Sequence, residues 1–231
     1  MRSFIPILLA MAFMPFAATP QAHAQGGSDE AVYVVSYIDV APAAKGQTAT
    51  LLRQIATASR KQAGVMRFDV MQRIGPSSNQ FVILEAWKDQ QALDAHVAAA
   101  HSKQFREKLA EHLISPVDER FCIATFIGTA QPARGGDAVH VVTHVDVPGN
   151  VRDKAYAALK DLSDASRKDR GNLRFDIVHQ KNRTNHFTVM ELWTDQKSND
   201  AHELAAHTRE FRNILTPITG ALYDQRWYKA L

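Results

Sequence analysis

The chain has 231 residues, with 27 Lys and Arg against 24 Asp and Glu, a formal charge of +3, and the two signs are interspersed. That balance excludes the concentrated basic face of a nucleic-acid-binding domain. A lone cysteine, Cys122, excludes an intramolecular disulfide framework and, within RFCIATF, reads as a buried strand thiol.

The chain opens MRSFIPILLAMAFMPFAATPQAHAQ, a basic residue followed by an apolar run and Ala22-His23-Ala24. This is the pattern of a secretory signal peptide over residues 1–24, so a secreted or periplasmic protein cleaved near Ala24 is expected. The run from Phe4 to Ala18 is short and interrupted by Pro6 and Pro15, so no stable membrane insertion is expected.

The remaining sequence is a duplication. VYVVSYIDV from Val32 matches VHVVTHVDV from Val139, and ASRKQAGVMRFDV from Ala58 matches ASRKDRGNLRFDI from Ala165. From Phe81 to Leu109, 14 of 29 positions are identical to Phe187 through Leu215. A period this long means duplicated domains rather than a solenoid. The expected domains are 30–128 and 138–231, joined by a Gly-, Ala- and Pro-rich linker over 129–137.

In chain order, β-branched alternation predicts a strand over Val32–Val40. Leu51, Leu52, Ile55 and Ala58 share one face of a helix over Lys45–Gln62, which stops at Gly64. Strands are predicted over Met66–Ile74 and Gln80–Trp87, separated by Gly-Pro-Ser-Ser-Asn. Asp89 then caps a helix, possibly in two pieces, that runs to about His112, and Glu119–Ile127 closes the unit. The order β-α-β-β-α-β is the split βαβ arrangement. Its third strand is apolar on both faces, so the sheet must be buried on both, and the natural cover is the second copy's sheet.

Several polar residues could carry chemistry. His96/His101 and His202/His207 are spaced i,i+5, which turns them about 140° apart on a straight helix and argues against a shared metal. No metal site is expected. His101, Phe105 and Leu109 form one stripe, so His101 and its counterpart His207 read as packing residues. Glu85 and Glu191 stand in apolar strands, where a carboxylate needs a partner, Arg67 or Arg174 on the neighbouring strand for instance, or a histidine, or else takes a raised pKa suited to base work. Tyr33, Tyr37 and Asp39 share a parity, matched by His140, His144 and Asp146. Gln72 against His179 is a further difference between the copies. If this parity faces a cavity between the sheets, the His-rich second copy is the better catalytic candidate; if it faces the helices, the differences are only repacking.

The phrase R-F-D after a Gly-ended helix, then E-x-W-x-D-x-x-A-L-x-A-H-x-x-A-H-x-x-x-F from Glu85, resembles the antibiotic biosynthesis monooxygenase domains of the dimeric α/β-barrel superfamily, including quinol monooxygenase-like members. The resemblance covers nearly all of both copies. It implies an α+β fold of two ferredoxin-like domains packed sheet to sheet as an intrachain barrel, a covalently joined pseudo-dimer. It also implies oxidation of a quinol or polycyclic phenol by O2 with no cofactor, the protein supplying a base and a dry cavity. Matched to the motif, the catalytic candidates are His96, His202, Glu85 and Glu191. The substrate-binding candidates are Trp87, Trp193, Tyr33, Tyr37, His140 and His144. The partners implied are a small aromatic substrate and O2. The haem-degrading members of the superfamily use an Asn on the first strand, which both VYVVSYIDV and VHVVTHVDV lack. The alternative to an enzyme is a barrel module that binds a small aromatic ligand or haem without turnover.

Overall fold

A computed structural model describes residues 30–131 and 136–231. The expected signal peptide and residues 132–135 of the expected linker lie outside the described residues.

The first repeat runs β1 (Val32–Asp39), α1 (Lys45–Ser59), β2 (Val65–Arg73), β3 (Gln80–Trp87), α2 (Gln90–Ala98), α3 (Ala100–Ala110) and β4 (Asp118–Phe126). The second runs β5 (Val139–Asp146), α4 (Arg152–Ser166), β6 (Asn172–Gln180), β7 (Arg183–Trp193), α5 (Gln196–Glu203), α6 (Ala206–Leu215) and β8 (Asp224–Ala230).

Local chemistry sets the element ends. Asp89 and Asp195 cap α2 and α5 by accepting from the backbone amides of Ala92 and Ser198, each at 2.7 Å. Gly64 takes φ +81°, and a Cβ there would stand 2.6 Å from that of Ala92, so only glycine lets the chain turn from α1 into β2 beneath α2. The last helix of each repeat is broken where one residue becomes extended, Ala99 at ψ 144° and Ala205 at ψ 150°.

The eight strands close into one barrel in the order β1-β3-β2-β8-β5-β7-β6-β4. The two sheets are joined at their edges as well as facing each other. β4 pairs with β1 of its own repeat and β6 of the other, while β8 pairs with β5 and with β2. Closure leaves none of the eight described strands with an unpaired edge.

Three cores follow. Inside the barrel lie Tyr33, Val35, Met71, Val82, Leu84, Cys122, Val142, Val178, Met190 and Tyr228. On each outer face a second core sits under the helices, with Phe68, Phe81, Ile83 and Trp87 in the first repeat and Phe175, Phe187, Val189 and Trp193 in the second. The third strand is therefore buried on both faces, as its sequence requires. Burial pushes the Cys122 thiol up to about 12, so it is a packing residue.

The two R-F-D phrases exchange partners across the barrel. Arg67 Nη2 lies 2.7 Å from Asp176 Oδ2, and Arg174 Nη1 lies 3.0 Å from Asp69 Oδ2. Neither arginine serves Glu85 or Glu191, as the sequence reading allowed. They tie the repeats together.

Candidate active site

The parity of the strands decides which residues can meet. Val34, Ser36 and Ile38 of β1 and Ile83, Glu85 and Trp87 of β3 point out of the barrel toward α2 and α3, whereas Tyr33, Val35 and Tyr37 point in. The sequence-predicted residues consequently separate.

Glu85 and His96 come together in the first repeat. They line a cavity of about 110 Å³ between the outer face of the sheet and the broken helix, with Ser36, Phe68, Leu93, Ser102 and Phe105 among its walls. Its mouth is flanked by Val97 and Phe121, 44% and 42% exposed, and by Arg106 and Glu119. The entrance is thus apolar with a charged rim, and the floor is ionisable.

Trp87 lies behind the floor, fully buried, and shapes it. Its Nε1–H donates to Glu85 Oε2 at 2.8 Å, and its ring stacks on His96 at 4.7 Å. His96 Nδ1 meets Gln62 Oε1 at 2.6 Å, which fixes the proton on Nδ1 and leaves the Nε2 lone pair 3.8 Å from Glu85 Oε2. Burial pushes Glu85 up to about 7, partly offset by the Trp87 hydrogen bond. Burial lowers His96 to about 4, and the nearby His101 and Arg106 act in the same direction. At neutral pH the floor therefore holds a neutral imidazole beside a carboxyl poised between its two forms, an arrangement that can accept a proton from a bound hydroxyl.

The second repeat keeps the floor and loses the space. Glu191 accepts from Trp193 Nε1 at 2.9 Å, and His202 stacks on Trp193 at 4.6 Å. At the positions of Leu93, Val97, Val117, Glu119 and Phe121 stand Asn199, Glu203, Tyr223, Gln225 and Trp227. Trp227 Nε1 donates to Asn199 Oδ1 at 2.9 Å, Gln225 donates to Glu203 Oε1 at 2.7 Å, and Arg212 pairs with Glu203. Tyr223 packs on this core, and burial, followed by the Glu191 charge, raises its hydroxyl pKa. Bulk and a polar network close what is open in the first repeat. The cavity lined by the carboxylate and the imidazole lies in the first repeat.

The remaining candidates lie elsewhere. Tyr33 and Tyr37 are inside the barrel, with the Arg120 guanidinium 4.7 Å from the Tyr37 ring. His140 lines a separate recess with Arg174 and Asp69. His144 lines a polar recess of about 610 Å³ with Arg120, Asp146 and His186, and none of these four first-strand residues reaches Glu85 or His96. His179, the counterpart of Gln72, faces outward against Phe187. Gln62, Ser102, Arg106 and Glu119 were not anticipated. Gln62 carried a signal, its replacement by Asp169 directly after the identical Ala-Ser-Arg-Lys run of both copies.

The family model described as antibiotic biosynthesis monooxygenase matches residues 31–108 and 138–214. The provisionally named monooxygenase YcnE of Bacillus subtilis (strain 168) is 31% identical over 87 residues, covering 38% of this chain and 90% of YcnE. Among solved structures, a provisionally named monooxygenase from Fusobacterium nucleatum has a TM-score of 0.80 at 13% identity, over 87% of this chain and 93% of that one. One from Lactobacillus acidophilus has a TM-score of 0.73 at 14% identity, over 87% and 94%. An anthrone oxidase-like protein has a TM-score of 0.67 at 13% identity, over 89% and 93%. At these identities the structures establish a shared fold.

Proposed function

Because the chain belongs to the antibiotic biosynthesis monooxygenase family through both of its repeats, we propose that it oxidises a quinol or phenol with O2, without a cofactor, in the cavity of the first repeat alone. The carrying observation is the Glu85–His96 floor beneath an apolar mouth. The volume of about 110 Å³ is below the roughly 150 Å³ of an apolar cavity that takes up benzene. That size favours the edge of a single ring, with the rest of the substrate held between Val97 and Phe121, over a fused polycycle. It also disfavours haem, a far larger macrocycle.

The Glu85 carboxylate takes the hydroxyl proton while Nε2 of neutral His96 accepts a hydrogen bond that orients the hydroxyl, and the anion left behind is electron-rich enough to reduce O2. For a hydroquinone, one oxygen atom of O2 forms a bond to a ring carbon, the O–O bond breaks, and the products are a hydroxyquinone and water. Arg106 at the rim favours the anion electrostatically. Trp87 and Gln62 act as positioning residues for Glu85 and His96.

Export supports an environmental or envelope quinol as substrate, and we propose cleavage near Ala24; sequencing the mature N-terminus checks this. The enzyme reading is tested by oxygen uptake against a panel of monocyclic hydroquinones with chelator present. The expected result is turnover that is lost in H96Q and retained in H202Q. Equal loss in both variants refutes the single-site reading, and saturable binding without oxygen uptake establishes the binding-module alternative instead.

A further inference from the structure

One difference between the repeats changes the chemistry of a matched histidine pair. In the first repeat, the Gln62 amide meets His96 Nδ1, while His101 Nε2 is buried with no hydrogen-bond partner. In the second, Asp169 stands at the position of Gln62, and its Oδ2 lies 2.9 Å from His202 Nδ1 and 3.0 Å from His207 Nε2. One ligand atom from each of the three lies within 4.8 Å of the others.

The i,i+5 spacing that argues against chelation holds only for a straight helix. Here α5 ends at Glu203, α6 begins at Ala206, and extended Ala205 between them turns the two rings to 5.4 Å centroid separation. Asp169 reaches both from the turn between α4 and β6.

We propose that Asp169, His202 and His207 bind a divalent cation of the zinc class. Two imidazole nitrogens and one carboxylate oxygen form a donor set suited to zinc. His202 is held by stacking on Trp193 and is 3% exposed, while the Asp169 and His207 side chains are each 24% exposed, so further coordination positions open to solvent. Coordination uses the lone pairs of His202 Nδ1 and His207 Nε2, so each ring carries its proton on the other nitrogen. For His202 that proton is on Nε2, which has the Thr208 hydroxyl at 3.4 Å and Glu191 Oε2 at 3.8 Å, so a polar side chain borders the nitrogen that does not bind the metal. A second cluster, His144, Asp146 and His186, lacks this character because Arg120 Nη1 donates to His144 Nδ1 at 3.0 Å, which leaves the proton on Nε2 beside a fixed positive charge. The cation would pin the broken helix of the closed repeat to the α4–β6 turn. The inference is independent of the proposed oxidation.

The test is zinc titration of the untagged, chelator-stripped chain, read by metal analysis after gel filtration and by thermal melting. The wild type is expected to retain one tightly held zinc and to melt at higher temperature with it. D169Q, which copies the first repeat, should lose that equivalent and bind more than about 100-fold more weakly, beyond the range for outer-shell changes. Q62D should gain a second equivalent in the first repeat. D169N, closer in shape, and circular dichroism of each variant separate loss of a ligand from loss of folding. Absence of retained zinc in the wild type, or equal retention by folded D169Q, overturns the proposal.

Discussion

Replacing Glu85 by Gln should stabilise the protein while removing its activity. The residue is 8% exposed, and burial moves its carboxyl from an ordinary 4.5 to about 7. Below pH 4.5 it is protonated in both folded and unfolded chains and contributes nothing to the difference. As pH rises from 4.5 to 7 the unfolded chain releases the proton first, so it binds fewer protons than the folded one and stability falls. Above about 7 the penalty is constant. At about 1.4 kcal/mol per pKa unit it amounts to about 3 kcal/mol at pH 8 and under about 1 kcal/mol at pH 5. Glutamine keeps the Trp87 hydrogen bond through its carbonyl and carries no such penalty. Urea unfolding followed by tryptophan fluorescence should show E85Q more stable than wild type at pH 8, by up to that amount, and nearly equal at pH 5. An E85Q variant that is no more stable at pH 8, or equally stabilised at both pH values, refutes the assignment of Glu85 as a buried carboxyl of raised pKa. Oxygen uptake by E85Q should fall by about 10²–10⁴-fold, the usual contribution of a positioned base, whereas E191Q should retain it.

The wild-type kcat/KM for a hydroquinone should rise with pH through about 7 and then level, because Glu85 must be ionised to accept the proton; E85Q should lose that inflection in the same pH–rate measurement. V117Y places in the open repeat the residue that stands at position 223 in the closed one, and it should abolish saturable oxygen uptake at a stability cost of about 1–3 kcal/mol for overpacking. Asp176 is fully buried against Arg67, so D176N should lower unfolding free energy by about 3–5 kcal/mol, the cost of leaving a buried charge unpaired, measured by the same urea titration. An effect below about 1 kcal/mol would mean that the pair is screened and does not hold the repeats together.

Much of the fold is legible along the chain because its signals are local. The Asp89 carboxylate caps a helix whatever surrounds it, Gly64 is needed wherever φ turns positive, and β-branched alternation marks β1 before any partner strand is placed. The sequence allows for a break in the last helix, but its position is not legible, since Ala98, Ala99 and Ala100 are all good helix formers and nothing local marks Ala99 as the extended residue. That break brings His96 and His101 nearer than their spacing allows on a straight helix.

By itself the sequence determined that two equivalent units bury both faces of their sheets, because duplication and two-sided apolar strands are properties of residue order. It could not determine which side of β3 lies under the helices, since Phe81, Ile83 and Trp87 on one side are as apolar as Val82, Leu84 and Ala86 on the other. That choice, made by barrel closure, puts Glu85 with His96 and sends Tyr33, Tyr37, His140 and His144 elsewhere. Only the tertiary structure decided that one repeat is open and its twin closed. The space depends on Leu93, Val97, Val117 and Phe121, distant along the chain, meeting over one carboxylate, and the second repeat fills that meeting point with Tyr223 and Trp227.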